Sequence, residues 1–294
     1  MTCCTIAFSE EPSSHETPLP SIADKVAGLA SREGFLTVFP DDNVGTIWLQ
    51  VETWNEDFLY LGGLSSGLGS NPVGLDRGQW GKSRVVRFKR VGKRVYLIER
   101  NLRYRAITAN PVERRAVAES FAESVIWATD IVARTGDRCL VDAKFLLIRD
   151  AHSVVNTLKS AQQGDFQLDS GRSFVSIDRC RAFPRNTELE ATLTFASDQP
   201  GALVRQTAAE GGAFSLRLHH SLVKLPDAGY QPRLADPRVG LNNITFANYS
   251  APLDAPLTQR FITRHRLEKA DPSKSKSVPV KPIEIGRASC RERV

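Results

Sequence analysis

Histidines are the residues of this chain with the widest chemical repertoire, since histidine acts as base, acid or metal ligand near neutral pH. They stand at positions 15, 152, 219, 220 and 265. His15 opens "HETPL", where Leu19 replaces the second histidine of an HExxH zinc motif and Pro18 would break the required helix. His219 and His220 are neighbours on a predicted strand, so they face opposite sides and cannot easily chelate one ion. We therefore predict no metal ligand and no catalytic residue among them.

Other catalytic patterns are equally sparse. His152 follows Asp150 in "RDAHSVV" and could bond to it at a helix start, but a catalytic pair would need a nucleophile that the sequence does not identify. No GxSxG, P-loop or dinucleotide fingerprint is present. Cys139 and Cys180 either pair in an oxidising compartment or remain two buried thiols.

Residues 67–81, "GLGSNPVGLDRGQWG", are the stretch best suited to an interaction surface. Five glycines allow demanding backbone geometry, and Asp76, Arg77 and Gln79 add charge and hydrogen-bonding groups. We interpret these three residues as a candidate domain-docking loop. The alternative, equally consistent with the sequence, is that Asp76 and Arg77 only stabilise the conformation of the loop itself.

Basic residues concentrate in residues 77–105, which hold eleven Lys or Arg against the single acid Glu99. Arg84, Arg87, Lys89 and Arg94 form a candidate basic face on a hairpin, which could hold an anionic polymer. No nucleic-acid motif accompanies the charge, so the pattern favours two strands with a solvated outer side, and no nucleic-acid partner is expected.

The composition is that of a globular protein, with 41% hydrophobic and 24% charged residues among 294. No run of 18 apolar residues exists, so no membrane span is predicted. The net charge of +6 includes +2 from the last ten residues, which hold three arginines and one glutamate.

Local patterns predict the elements that must position these residues. Ser21 and Asp24 form a capping-box pattern for a short helix. Residues 35–51 and 84–99 alternate as hairpins, and further strands are expected in "RCLVDA", "SFVSI", "ELEATLTFA" and "FSLRLHHSLVKL". Short helices are expected in "SVVNTLKSAQ" and "LTQRFITRHRLEKADPS".

One long helix is predicted from Asn110, which suits an N-cap, with Pro111 at the first helical position. Its apolar stripe is formed by residues at three- and four-residue spacing: Val117, Phe121, Val125, Ala128 and Val132. We expect an α+β fold, a mainly antiparallel sheet of hairpins with one long amphipathic helix and a few short helices.

The chain organisation follows from composition. Residues 1–20 are expected to be a disordered leader without signal-peptide features, residues 21–270 a domain, and residues 271–284 a linker. Ile285 to Val294, read as codons, resembles one frame of a sequencing-adapter oligonucleotide, so we interpret this segment as an artefact that includes Cys290.

Several runs in order resemble the N-terminal region of a bacterial zinc-dependent metallopeptidase family, a region catalogued as domain of unknown function 5117. The runs are "SIADKVAGLASREGF", "GLGSNPVGLDRGQWG", "RVVRF", "NLRYRA", "NPVERRAVAESFAESVIW", "FPRNTELEATLTF", "LRLHHSLVKLPDAGYQPRLADPRVG" and "RFITRHRLEKADPS…PVKPI". They span roughly Ser21 to Ile283, most of the chain.

The resemblance implies a non-catalytic part of a secreted or periplasmic enzyme that hydrolyses peptide bonds. In that family the zinc site lies in a downstream metzincin-like HExxH domain, so zinc is expected in the parent enzyme and none in this chain. The expected partners are that downstream domain and, for the parent, a peptide or protein substrate. The implied role is to assist folding, shield the cleft or shape substrate access; the alternative is a stand-alone module that binds an anionic polymer through the basic hairpin.

Overall fold

The computed structural model describes residues 18–69, 71–227, 229–264 and 268–280. The predicted artefact at 285–294 and most of the predicted leader, with His15, lie outside these residues, as does His265. Within the described residues the chain forms fourteen strands. They are β1 Val38–Asp41, β2 Thr46–Val51, β3 Phe58–Leu64, β4 Arg84–Val91, β5 Arg94–Glu99, β6 Tyr104–Arg105, β7 Ser124–Thr135, β8 Arg138–Asp142, β9 Gln167–Val175, β10 Arg181–Phe183, β11 Asn186–Ala196, β12 Ala213–Lys224, β13 Asn243–Asn248 and β14 Thr258–Ile262.

The helices of the described residues are short. They are α1 Ile22–Lys25, α2 Pro111–Ser120, α3 Lys144–Leu147, α4 Val154–Ser160 and α5 Ala202–Thr207, with one 3-10 turn at Ile177–Arg179. The longest has ten residues, and none is long and apolar enough to cross a membrane.

The predicted α+β class with a long amphipathic helix is wrong. The described residues are 40% strand and 13% helix, which makes this a mainly β protein over the part of the chain that the structure describes. Asn110 does cap a helix, since its side chain accepts a hydrogen bond from the Val112 N–H, but α2 ends at Ser120 and buries no residue. The chain then enters β7, so the predicted stripe is divided between a helix and a strand.

Strand pairing explains why β7 replaces the second half of that helix. The segment is rich in β-branched residues, which lose side-chain freedom in a helix and pack well on a pleated sheet. Its buried residues are Trp127, Ile131 and Ala133, whereas Val125 of the predicted stripe is 60% exposed. Partners β5 and β8 satisfy the backbone of β7 on its two sides.

The local predictions at both hairpins are confirmed. β1 pairs with β2 and β4 with β5, both antiparallel, and Val86 and Phe88 are buried opposite the outward-facing Arg87 and Lys89. Ser21 caps α1, and its side chain accepts a hydrogen bond from the Asp24 N–H.

The chain divides into two compact units. The first comprises described residues within 18–100 and 123–225, and the second those within 101–122 and 226–280. In the first unit, ten strands form one antiparallel path in the order β1-β2-β8-β7-β5-β4-β3-β12-β11-β10, with β9 also paired to β11. This sheet curls into a half-barrel.

The core of the first unit lies on one face of this sheet. Side chains of α3, α4 and α5 pack there against strand residues, with Leu146, Leu158 and Val204 fully buried. A smaller cluster on β1, β2, β7 and β8 receives Ile22 and Val26 from the N-terminal helix segment. The opposite face of β11 and β12 carries mainly polar residues, among them Glu188, Glu190, Arg217 and His219.

The second unit contains a three-stranded sheet in the order β14-β13-β6. The helix predicted around residues 257–273 is wrong, because β14 occupies its first part and pairs with β13. Tyr104 stacks on Phe121 with ring centroids 3.8 Å apart. Of the predicted linker, residues 271–280 are described.

Candidate functional site

The loop of residues 67–81 leaves β3 and folds back along it. The Leu64 N–H donates to the Gln79 carbonyl (2.9 Å), and the Gly81 N–H donates to the Gly62 carbonyl (2.8 Å). Leu68, Val73 and Leu75 are buried and anchor the loop in the core. The loop is therefore a fixed extension of the sheet in its described residues.

Two glycines make this packing possible. A Cβ at Gly67 would lie 2.4 Å from the backbone nitrogen of Arg77, so any other residue would push the two sides of the loop apart. A Cβ at Gly63 would lie 3.3 Å from the Gln79 carbonyl oxygen and 3.5 Å from the Trp80 ring. Gly63 thus lets Trp80 lie close across β3.

The three predicted docking residues all lie on the outside of this loop. Asp76 is half-buried, while Arg77 and Gln79 are exposed. Neither the Asp76 carboxylate nor the Arg77 guanidinium forms a side-chain hydrogen bond or ion pair with the described residues. The Gln79 Oε1 lies 3.4 Å from the Nε2 of His152. Both charged groups are therefore accessible to a partner.

Trp80, the aromatic residue of the loop, was not singled out in the sequence analysis. Trp80 is 68% exposed, although its backbone pairs with Gly63 in a β-bridge. The sequence pattern that could have identified Trp80 is its position between Gly78 and Gly81 in "RGQWG". Tryptophan is enriched at protein interfaces, so an exposed ring on a fixed backbone is a candidate contact for a partner.

A charged cluster lies beside the loop on the polar face of β11 and β12. The His219 Nε2 is 2.6 Å from Glu188 Oε2, and its Nδ1 is 3.5 Å from Glu190 Oε2. The hydrogen bond to Glu188 raises the pKa of His219 above its usual value, and Glu190 adds to the effect. The Ser221 hydroxyl also donates to Glu188 (2.7 Å). We name Glu188, Glu190 and His219 the carboxylate–histidine cluster.

The geometry of this cluster matches neither a metal site nor a serine–histidine pair. The two carboxylates contact opposite ring nitrogens, so the three side chains do not converge on one point as metal ligands must. The Ser221 hydroxyl bonds to Glu188 and not to His219, so it lacks the base that activates a serine nucleophile. Among the described residues no group of three or more His, Cys, Asp or Glu is arranged to hold a metal ion.

A small pocket joins the loop to the cluster. Its volume is about 170 Å³, and it is lined by Gly63, Leu64, Ser65, Gly78, Gln79, Trp80 and His219. Trp80 contributes the aromatic wall and His219 lies at the edge, whereas the Leu64 side chain is 2% exposed and belongs to the core. The pocket therefore combines an aromatic surface with an imidazole at its edge.

The candidate basic face is divided by the sheet and largely neutralised. Arg84 lies on the core side of β4, 3.3 Å from Glu99, whereas Arg87 points to the other side and pairs with Glu123 at 2.8 Å. Arg94 pairs with Asp130 at 3.0 Å. Lys89 is the one of the four that forms no ion pair within the described residues.

The second histidine of the pair lies in the core. His220 is fully buried, and its Nδ1 is 2.7 Å from the Tyr60 hydroxyl, which also accepts a hydrogen bond from Arg149 (2.8 Å). Because Arg149 already donates to the Tyr60 oxygen, the Tyr60 O–H is free to donate to the His220 Nδ1. Burial, with Arg149 adding to it, lowers the pKa of His220 to about 3. The prediction that the two histidines face opposite sides is confirmed.

The remaining candidates have structural roles. Asp150 accepts hydrogen bonds from the N–H groups of Val154 and Val155, so it caps α4 where a bond to His152 was predicted. Cys139 and Cys180 are both free and buried. Burial raises the pKa of Cys180 to about 11, which makes it an unreactive thiol.

Fold and site together define a mainly β domain that presents a fixed aromatic loop beside a charged cluster. Residues 78–270, about two thirds of the chain, match the family described as "Domain of unknown function (DUF5117)", and the chain belongs to this family. The predicted membership of this family is thereby confirmed. Comparison with curated proteins and with solved structures gives no match.

Proposed function

We propose that this chain is a non-catalytic domain of a secreted or periplasmic zinc-dependent metallopeptidase and docks on the zinc domain through residues 67–81. The observation that carries the proposal is Trp80, which is 68% exposed on a loop anchored in the core. Family membership supports the assignment to a larger enzyme, as the resemblance implies.

Several properties of the loop favour a protein partner. Tryptophan and arginine are the residues most enriched at the energetic centres of interfaces. Trp80 and Arg77 stand three positions apart on a backbone that the buried Leu75 helps to fix, so little conformational entropy is lost on docking. Docking here would give the partner an apolar contact and an unpaired cation at once.

The carboxylate–histidine cluster supports a non-catalytic role. Its histidine is paired with two carboxylates through opposite ring nitrogens, an arrangement that favours the protonated imidazole and leaves neither nitrogen free. The ion pairs of Arg84, Arg87 and Arg94 weigh against the alternative of an anionic polymer on the basic hairpin, because the acids of neighbouring strands neutralise most of its charge.

The first test is the gene itself. Reading the natural frame past the codon for Glu284 should reach an HExxH coding segment, whose two histidines and glutamate would hold Zn²⁺ and supply the base. A stop codon soon after Glu284 would refute the proposal. The present chain, purified alone, should contain well under one zinc per molecule.

The docking role is tested in the complete protein encoded by that frame. Trp80→Ala and Asp76→Ala should lower peptidase activity while the melting temperature stays within about 1 °C of the parent. Phe174→Ala is a matched control, since Phe174 is another exposed aromatic residue (57%) on β9. If activity falls only in step with melting temperature, or equally in the control, the docking role is wrong.

A further inference from the structure

We propose that the pocket between Trp80 and His219 binds one apolar side chain of an extended polypeptide segment whose next residue is acidic. The inference rests on the proposed function in taking residues 67–81 as the docking surface, and it names the chemistry of the partner segment. The size of the pocket, the nature of its wall and the distribution of charge around it all favour such a segment.

The size and wall select a single apolar side chain. A volume of about 170 Å³ has room for one side chain and not for a helix or a folded edge. The Trp80 ring forms one wall, with Leu64 and the backbone of Gly63 and Gly78 completing the lining. An aliphatic or aromatic group inserted there would remove the exposed part of the ring from water, which is the main source of affinity for such a contact.

The charge distribution selects an acidic neighbour. Among the side chains beside the pocket, the glutamates are more deeply buried than the arginine and the histidine. Glu190 is 6% and Glu188 17% exposed at the side chain, against 29% for His219 and 31% for Arg217. Arg217 lies 3.6 Å from Glu190, and its backbone carbonyl accepts from the N–H of Ser65 in the pocket wall.

Arg77 adds a cation on the loop itself. It is exposed and forms no ion pair with the described residues, while Asp76 beside it is half-buried. Arg77 and Arg217 therefore present positive charge to a partner carboxylate, while Glu188 and Glu190 lie deeper. A lysine at the same place would meet repulsion.

The experiment uses this chain and three blocked hexapeptides as probes, followed by ¹⁵N NMR of the tryptophan indoles. The peptides are Ala-Ala-Leu-Glu-Ala-Ala, Ala-Ala-Leu-Lys-Ala-Ala and Ala-Ala-Ala-Glu-Ala-Ala. The chain has four tryptophans, and Trp80→Phe assigns the Trp80 signal. The Leu-Glu peptide should shift the Trp80 indole and the amides of Gly63 and Gly78.

The expected ratios follow from the contacts. The Leu-Glu peptide should bind about tenfold more tightly than the Ala-Glu peptide, because the leucine side chain is buried. It should bind about twofold to fivefold more tightly than the Leu-Lys peptide, as expected for a partly exposed ion pair. Arg77→Ala should remove most of the Glu preference, whereas Arg138→Ala, an exposed arginine on β8 without a described ion pair, should leave it intact.

Two results would overturn the inference: no shift of the Trp80 indole with any peptide, or equal affinity for all three. Neither result would bear on whether the natural frame continues into an HExxH domain or on whether Trp80→Ala lowers peptidase activity. The inference and the proposed function can therefore fail separately.

Discussion

Replacing His220 with asparagine should remove a large part of the acid sensitivity of this protein. His220 is fully buried, and its Nδ1 forms a hydrogen bond of 2.7 Å with the Tyr60 hydroxyl. Burial, together with the nearby Arg149 cation, lowers the pKa of His220 to about 3. Asparagine offers an acceptor near the position of Nδ1 but cannot take up a proton, so His220→Asn keeps the network and removes the titration.

The magnitude follows from proton linkage. Between pH 6.5 and about 3 the unfolded chain protonates His220 while the folded chain does not, so the free energy of unfolding falls as the pH falls. One proton corresponds to about 1.4 kcal/mol per pH unit in this window. Between about pH 7 and about pH 5, the free energy of unfolding of the parent should fall by about 2 kcal/mol because of His220. His220→Asn should not show this fall.

The assay is urea unfolding of both proteins across this range, because the slope of stability against pH is independent of any constant packing cost in the variant. His219→Asn is the matched control. Glu188 raises the pKa of His219, so its contribution is complete below pH 6.5 and is lost as the pH rises through the folded pKa. The control should therefore keep the parental slope between about pH 6 and pH 5, and an unchanged slope in His220→Asn would refute the reasoning.

Three further predictions concern packing and reactivity. Gly67→Ala should destabilise the protein by about 2 kcal/mol or more in urea unfolding, because its Cβ would lie 2.4 Å from the Arg77 nitrogen, whereas Gly240→Ala, with no atom within 4 Å, should be nearly neutral. Trp127→Ala should cost about 3–5 kcal/mol since Trp127 is 7% exposed, and Trp80→Ala under about 1 kcal/mol; equal costs would contradict the described burial. Cys180 should resist thiol labelling in the native protein and react only after unfolding, as followed by peptide mass mapping, because burial raises its pKa to about 11.

The fold could be predicted where the signal lies in adjacent residues. Asn110 and Pro111 predicted the start of α2, and the alternation of apolar and polar residues predicted the β4–β5 hairpin. The end of α2 could not be predicted in the same way. Residues after Phe121 carry apolar spacing that suits a helix and β-branched residues that suit a strand, and the pairing with β5 and β8 decides between them.

The candidate site shows the same division. The glycine spacing pointed to residues 67–81 and to Asp76, Arg77 and Gln79; Arg77 and Gln79 are exposed on the folded loop, and Asp76 is half-buried. The contact between Glu188 and His219 joins residues 31 positions apart, and it depends on the register of β11 with β12. No pattern of neighbouring residues specifies the register of β11 with β12.

By itself the sequence determined the short-range features: caps, hairpin turns, the glycine loop and the opposite facing of His219 and His220. These depend on neighbouring residues and on the two-residue period of a strand. Only the tertiary structure decided that His219 becomes a partly exposed side chain paired with Glu188, while His220 becomes a buried hydrogen-bond partner of Tyr60, 160 positions away. The reason is physical: a side chain's charge and exposure are set by what the rest of the fold brings against it, and those partners come from distant strands.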